Sequence, residues 1–153
     1  MADPTTDPSA ASFLDVDAES PFPIQNLPYG VFTPPNSSTP RVGIAIGNRV
    51  LDLALLNAEG GFSHPAVTDN RPFAEPSLNA FMALGKSVWS TVRERVHTLL
   101  RADTSELRDN PDLRAKVLHD RDAVTLQMPV EVGDYTDFYS SEHHAHNVGT
   151  MFR

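Results

Sequence analysis

The chain has 153 residues, of which 40% are hydrophobic and 21% are charged, so it can form one ordinary domain or a small domain and part of a second. Its formal net charge of −8 and the lack of any cluster of Lys and Arg argue against nucleic acid as a partner. The absence of cysteine excludes disulfides and thiolate chemistry. No apolar run is long enough to cross a bilayer and the first residues do not form a signal peptide, so we expect a cytoplasmic protein with no membrane partner.

The first third of the chain predicts a tail followed by β-structure. Residues 1–20 are acidic and rich in proline and serine, and we expect them to form a flexible tail. Alternating apolar residues and prolines in 21–32 predict an extended segment along the edge of a sheet. Apolar runs at 41–46 and 50–53 flank a turn that contains Gly47, and this pattern predicts a β-hairpin.

The middle of the chain predicts helices. Residues 77–84 are typical of a short helix, which Gly85 is expected to end. In 86–101 the apolar residues recur at helical spacing, so we expect a longer helix with one face in the core. Trp89 lies on this face, and we interpret it as a core residue rather than a platform for a ligand.

A third helix and a final extended segment complete this part. Asn110 followed by Pro111 predicts an N-cap and a helix start, with His119 near the helix C-terminus as a favourable cation. Residues 123–130 predict a strand or linker and the boundary of the first domain. Because strands and helices are segregated along the chain, the expected fold class is α+β, with a small twisted or barrel-like sheet and helices beside it.

Residues 133–153 contain most of the groups that could perform chemistry. They hold three carboxylates, two tyrosines, three histidines and one arginine. Such groups bind metals, move protons and hold anions. The sequence therefore predicts that any active or binding site of this chain lies in its terminal segment. A polar surface loop without a site is the commoner structure for such residues, and this alternative stays open.

Two chemical interpretations of this segment remain open from the residues alone. The three histidines, His143, His144 and His146, could bind zinc, but adjacent histidines point apart in regular structure and zinc is disfavoured. One histidine could instead act as a general base, because imidazole titrates near neutral pH. Arg153 could then bind a substrate carboxylate, and Tyr139 could donate a hydrogen bond.

Several parts of the chain resemble the N-terminal part of the fumarylacetoacetase (fumarylacetoacetate hydrolase) family. The segments that carry the resemblance, in the order of the family, are 22–32, 41–47, 78–85 and 133–153. The most specific is the run Asp-Tyr-Thr-Asp-Phe-Tyr-Ser-Ser at 134–141, followed by His144 and by Asn-Val-Gly at 147–149. The resemblance extends from about residue 21 to the end of the chain.

The resemblance implies a hydrolase acting on carbon–carbon bonds in ketonic substances. The expected reaction is the hydrolysis of 4-fumarylacetoacetate to fumarate and acetoacetate, the last step of phenylalanine and tyrosine catabolism. The family enzyme is a homodimer that uses calcium and also binds magnesium. The implied architecture is a small SH3-like β-barrel domain with flanking helices over residues 21–128, followed at 129–153 by the truncated start of a β-rich catalytic domain.

The resemblance also implies a role for four residues. Asp137 matches a metal-ligating carboxylate and is expected to bind calcium. His144 matches the proton acceptor, and Tyr139 and Arg153 match substrate-binding residues. His143 and His146 stand where the family varies, and they receive no catalytic role.

In the family the remaining metal ligands and leaving-group residues follow the position that matches Arg153. We therefore expect a fragment that is inactive as an isolated chain. The alternative is a non-catalytic interaction module, derived from the N-terminal domain, that associates with a full-length subunit.

Overall fold

The computed structural model of the protein describes residues 3–35, 37–136, 138 and 140–152. Its framework is a curled, antiparallel, five-stranded half-barrel with strand order β4-β3-β2-β1-β5. The strands are β1 (Tyr29–Thr33), β2 (Arg41–Ile46), β3 (Arg49–Asp52), β4 (Leu118–Asp120) and β5 (Thr125–Gln127). The helices are α1 (Leu53–Ala58), α2 (Pro65–Thr68), α3 (Asn79–Met82), α4 (Lys86–Leu100), α5 (Pro111–Val117) and α6 (Glu142–Met151). The predicted combination of a sheet with helices beside it is confirmed.

The hairpin of β2 and β3 is also confirmed. Ile44 lies opposite Leu51 in the register, and Gly47 and Asn48 connect the two strands. Gly47 has a φ of +54°, a left-handed conformation that costs glycine little and favours a tight hairpin turn.

The expectation that the first extended segment lies at a sheet edge is wrong for β1. This strand pairs with β2 on one side, with Val31 opposite Val42, and with β5 on the other. Its second partner comes from the far end of the domain, where Gln127 lies opposite Val31. β1 is therefore an interior strand, and β4 and β5 form the edges of the sheet.

Helix α4 packs against the hydrophobic core as predicted. Val88, Val92, Val96 and Leu99 are buried on one helical face. Trp89 is the exception, because its side chain is 39% exposed and its Nε1–H donates to the carbonyl oxygen of Phe81 at 2.9 Å. The interpretation of Trp89 as a core residue is therefore wrong, and the indole lies at the rim of the helix–core contact, where its polar N–H finds a partner.

Helix α5 begins as the sequence predicts. The Asn110 side chain accepts a hydrogen bond from the backbone N–H of Leu113 at 3.0 Å, and Pro111 occupies the first turn. His119 does not lie in this helix. It belongs to β4, where it pairs with Val50, so its predicted role as a cation at the helix C-terminus is wrong.

Two parts of the first twenty residues contact α4 in the described structure. The backbone N–H of Phe13 donates to the carbonyl oxygen of Leu100 at 3.1 Å, and the Arg93 Nε–H donates to the Thr5 hydroxyl at 2.8 Å. The flexibility predicted for residues 1–20 concerns motion in solution and stays a prediction. Among the described residues, no helix combines the length and apolar character needed to cross a membrane.

Candidate functional site

The terminal segment, residues 133–153, contains helix α6. Its N-cap is Ser141, whose hydroxyl accepts from the backbone N–H of His144 at 3.4 Å, and Glu142 lies in the first turn. A serine cap and an acidic first turn both satisfy or complement the free N–H groups of a helix N-terminus. This local sequence therefore explains why the three histidines lie in the first half of a helix and not in an irregular loop.

Exposed apolar side chains flank the three histidines along the chain. The large apolar side chains exposed in residues 132–152 are Val132 (67%), Tyr135 (84%), Phe138 (76%), Met151 (73%) and Phe152 (84%). Several large apolar side chains at this degree of exposure are typical of a segment that contacts another protein surface. The segment therefore has the character of an interface, in addition to its histidines.

Of the four residues that the resemblance assigns to the site, His144 belongs to the described part of the chain, where it is exposed. Asp137, Tyr139 and Arg153 lie outside the described residues. The structure therefore gives no distances between His144 and the other three, and their roles stay predictions.

The described residues do not supply a metal site. Within 3–35, 37–136, 138 and 140–152, no group of three or more His, Asp or Glu side chains is arranged to hold a metal ion. A calcium ion takes six to eight oxygen ligands, usually from several carboxylates. The described donors therefore fit neither the zinc interpretation nor a calcium site, and a calcium site that used Asp137 would need further ligands.

A buried polar cluster on the sheet was not predicted from the sequence. The Asp52 carboxylate is fully buried and lies 2.9 Å from Arg41 Nε and 3.3 Å from His119 Nε2. Its other oxygen accepts from the backbone N–H of Leu55 at 2.9 Å, so Asp52 is also the N-cap of α1. The cap could have been recognised from an aspartate directly before an apolar run. The cluster joins β2, β3, β4 and α1 and supports the frame rather than a site.

One apolar surface depression lies beside helix α3. Tyr29, Leu78, Phe81, Met82 and Trp89 line it, and its volume is about 230 Å³. We refer to this depression as the apolar groove. None of these five residues carries a charge near physiological pH, and burial raises the pKa of the Tyr29 phenol still further above neutrality. Met82 is 50% exposed there, which makes the groove a candidate contact surface.

The fold and the terminal segment define a small α+β domain, built on an antiparallel half-barrel and followed by a histidine-bearing helix. Residues 25–129 match the family described as Fumarylacetoacetase N-terminal, and the chain belongs to this family.

Similar proteins include the fumarylacetoacetases of Dictyostelium discoideum (47% identical), Arabidopsis thaliana (46%) and Caenorhabditis elegans (48%). Each similarity covers 93% of this chain, and 33%, 34% and 34% of the respective relative. The chain therefore spans about a third of the length of the curated relatives it matches.

Proposed function

We propose that the chain is the N-terminal part of a fumarylacetoacetase, which hydrolyses a carbon–carbon bond of 4-fumarylacetoacetate in the last step of phenylalanine and tyrosine catabolism. The extent of the similarity carries this proposal. A match that covers 93% of a 153-residue chain cannot end at residue 129, where the family match ends. The similarity to fumarylacetoacetases therefore continues into the terminal segment that contains the histidines.

In this proposal the chain has three parts. Residues 1–20 form a tail, 21–128 form an SH3-like domain with flanking helices, and 129–153 begin a β-rich catalytic domain. The curled antiparallel sheet supports the barrel-like first domain. The exposed apolar side chains of the terminal segment support its burial by the remainder of a longer enzyme, which we propose to be a cytoplasmic homodimer. The isolated chain is then inactive, because it holds only part of the site.

His144 is the proton acceptor in the proposed reaction. Its imidazole takes a proton from a water molecule whose oxygen adds to the ketone carbonyl of the substrate. The adjacent carbon–carbon bond then breaks, fumarate keeps the new oxygen, and the electron pair leaves with acetoacetate as an enolate. Protonation of the enolate carbon gives acetoacetate and returns the site to its starting state.

The remaining proposed roles concern binding. Tyr139 donates a hydrogen bond to a substrate oxygen, and the Arg153 guanidinium pairs with a carboxylate through two parallel N–H groups. Asp137 contributes one carboxylate to a calcium site, with magnesium as a second ion, and the other ligands come from outside the described residues. When bound, such a metal would polarise the oxygens of the diketone.

A comparison of the three histidines tests the proposed site. The protein for this experiment is the present chain joined to the downstream two thirds of a curated fumarylacetoacetase, which must first hydrolyse the substrate. His144→Ala should then lower kcat by about 10²–10⁴-fold, the usual effect of removing a general base, and leave calcium affinity nearly unchanged. His143→Ala and His146→Ala, on the same helix, are the matched controls and should have small effects. Loss of activity in either control, with His144→Ala active, would refute the assignment.

The apolar groove favours a second function, a non-catalytic module that binds a full-length fumarylacetoacetase subunit. The groove is uncharged and partly exposed, as expected of a surface that binds another protein. Sedimentation velocity of the labelled chain with the full-length enzyme tests this function. Met82→Ser should abolish the association, whereas Met128→Ser, a methionine 73% exposed after β5, should not. Absence of a complex at micromolar concentrations would reject this alternative.

A further inference from the structure

Three hydrogen bonds tie the chain to helix α3 at the point where it leaves the sheet. The backbone N–H of Leu78 donates to the carbonyl oxygen of Pro129 at 2.8 Å. The Asn79 side chain bonds Glu131 twice, because its Nδ2 donates to the Glu131 carbonyl oxygen at 2.9 Å and its Oδ1 accepts from the Glu131 N–H at 3.0 Å. Residues 52 apart in the sequence are therefore joined by a pair of hydrogen bonds between one side chain and the backbone.

The geometry of Asn79 is specific to an amide side chain. Glu131 presents one backbone donor and one backbone acceptor, and an amide is the side chain that offers one of each in a plane. Reversal of the amide would bring two acceptors together and two donors together, so both bonds depend on a single orientation. Asn79 therefore fixes the position and the direction of the backbone at Glu131.

The two Asn79 bonds, which we call the clamp, lie at the start of the segment that carries the candidate site. Val130 is half-buried and packs on the core, whereas Val132 is 67% exposed. Beyond it the hydrogen bonds of Tyr135 and Thr150 join residues within the segment itself. Glu131 is thus the point where the packed body of the domain passes into the terminal segment, and its orientation determines where that segment begins.

We propose that Asn79 is a positioning residue that clamps the terminal segment to helix α3 and so sets the place and direction in which that segment leaves the domain. The importance of this direction for catalysis rests on the proposed function. The clamp itself is a property of the present chain, and it can be tested without substrate. A small error in the position of a catalytic group lowers turnover strongly, so a fixed exit point has a direct chemical use.

Nuclear magnetic resonance of the isotope-labelled chain tests the clamp. Asn79→Ala removes both bonds and should speed amide exchange at Glu131 by about tenfold, the effect of losing one hydrogen bond of ordinary net strength. The backbone order parameter at Glu131 should fall from about 0.85 to below about 0.6. Asn70→Ala is the matched control, since Asn70 is also exposed and its side chain donates to the Ala66 carbonyl at 3.1 Å. This control should leave Glu131 unchanged.

Asn79→Asp separates the clamp from a role in starting the helix. Asn79 is the first residue of α3, and an aspartate there would favour the helix N-terminus at least as well as asparagine. A carboxylate can accept from the Glu131 N–H but cannot donate to its carbonyl, so the clamp predicts exchange between that of the unchanged chain and that of Asn79→Ala. Unchanged exchange together with an unchanged order parameter at Glu131 in Asn79→Asp would show that the donated bond contributes nothing, and would overturn the proposal of a two-bond clamp.

Two further outcomes would also overturn it. One is a change of less than about twofold at Glu131 in Asn79→Ala, which lies well below the loss of an ordinary hydrogen bond. The other is an equal loss of protection at Ile44 and Val92, because that result would mean general destabilisation. The joined enzyme distinguishes this failure from that of the proposed function. If the joined enzyme is active but Asn79→Ala leaves amide exchange at Glu131 unchanged, only the clamp is rejected. If the joined enzyme is inactive but Asn79→Ala speeds exchange at Glu131 as expected, only the proposed function is rejected.

Discussion

Replacement of Asp52 by alanine should destabilise the domain more than any surface substitution on the same sheet. The Asp52 side chain is fully buried, and its partners Arg41 and His119 are only 23% and 18% exposed. Arg41 contacts the carboxylate through an ionic contact at 2.9 Å that is not aligned as a hydrogen bond. Because all three groups have low exposure, removal of one partner leaves a poorly solvated charge.

The expected magnitude follows from two losses. Removal of one partner from a buried ion pair typically costs about 3–5 kcal/mol. This figure includes the cost of leaving the Arg41 guanidinium without its counter-ion. Loss of the N-cap bond to Leu55 adds about 1 kcal/mol, although coupled losses at one residue are not additive. We therefore expect Asp52→Ala to lower the free energy of unfolding by about 3–5 kcal/mol. Asp52→Asn keeps the cap acceptor and should lower it by less.

Guanidinium chloride titration followed by circular dichroism measures these differences in the free energy of unfolding, with the variants compared at the same denaturant slope m. Asp120→Ala is the matched control, because Asp120 pairs with Arg49 at 2.8 Å on the same sheet with side chains 64% and 40% exposed. An exposed pair of this kind contributes about 0–1 kcal/mol. A cost below about 1 kcal/mol for Asp52→Ala, or equal costs at Asp52 and Asp120, would refute the argument from burial.

Two further predictions concern the core. Gly43→Ala should lower the free energy of unfolding by about 1–3 kcal/mol through overpacking, because a Cβ at Gly43 would lie 2.6 Å from Phe32 and 2.8 Å from Val50. Gly30→Ala is the control, since Gly30 lies opposite Gly43 in the register and a Cβ there meets open space. Equal denaturant midpoints for the two variants would contradict the prediction. Burial lowers the pKa of His97, so its unfolded state binds more protons and stability should fall as pH drops below about 6.5. His97→Gln should make the free energy of unfolding less dependent on pH between pH 7 and 5. The change in slope should stay below the one-proton limit of about 1.4 kcal/mol per pH unit. An unchanged slope would exclude His97 as the source of the pH dependence.

The parts of the fold that depend on neighbouring residues could be predicted from the sequence. The hairpin turn at Gly47 and the cap of α5 at Asn110 each involve residues within a few positions of one another. The burial of α4 also followed from spacing along one helix. The burial of Trp89 was predicted wrongly, because helical periodicity gives the direction of a side chain but not the width of the surface that covers it. The indole N–H reaches the carbonyl of Phe81 only at the edge of that surface.

The parts that depend on distant residues could not be predicted. The interior position of β1 is determined by β5, which begins at Thr125. His119 pairs with Asp52 because β4 places it on the sheet, and a helical interpretation of residues 111–119 could not show this. The contacts of Thr5 with Arg93 join residues 88 apart, so the composition of the first twenty residues could not indicate where they pack. Local sequence patterns therefore predict which segments form helices and strands, whereas the tertiary fold determines which segments pair or pack with one another.

The candidate site shows the same division most clearly. No helix was predicted from the sequence in the terminal segment, whereas the Ser141 cap and Glu142 in the first turn account for α6. An isolated helix of ten residues is marginal in water, however, and none of the residues 142–151 is buried. Ala145 and Val148 lie on one half-buried face, with Phe152 following at the same helical spacing and 84% exposed. Stable order of His144 therefore requires that a further surface cover this face, so the chemistry of the segment depends on packing as much as on its histidines.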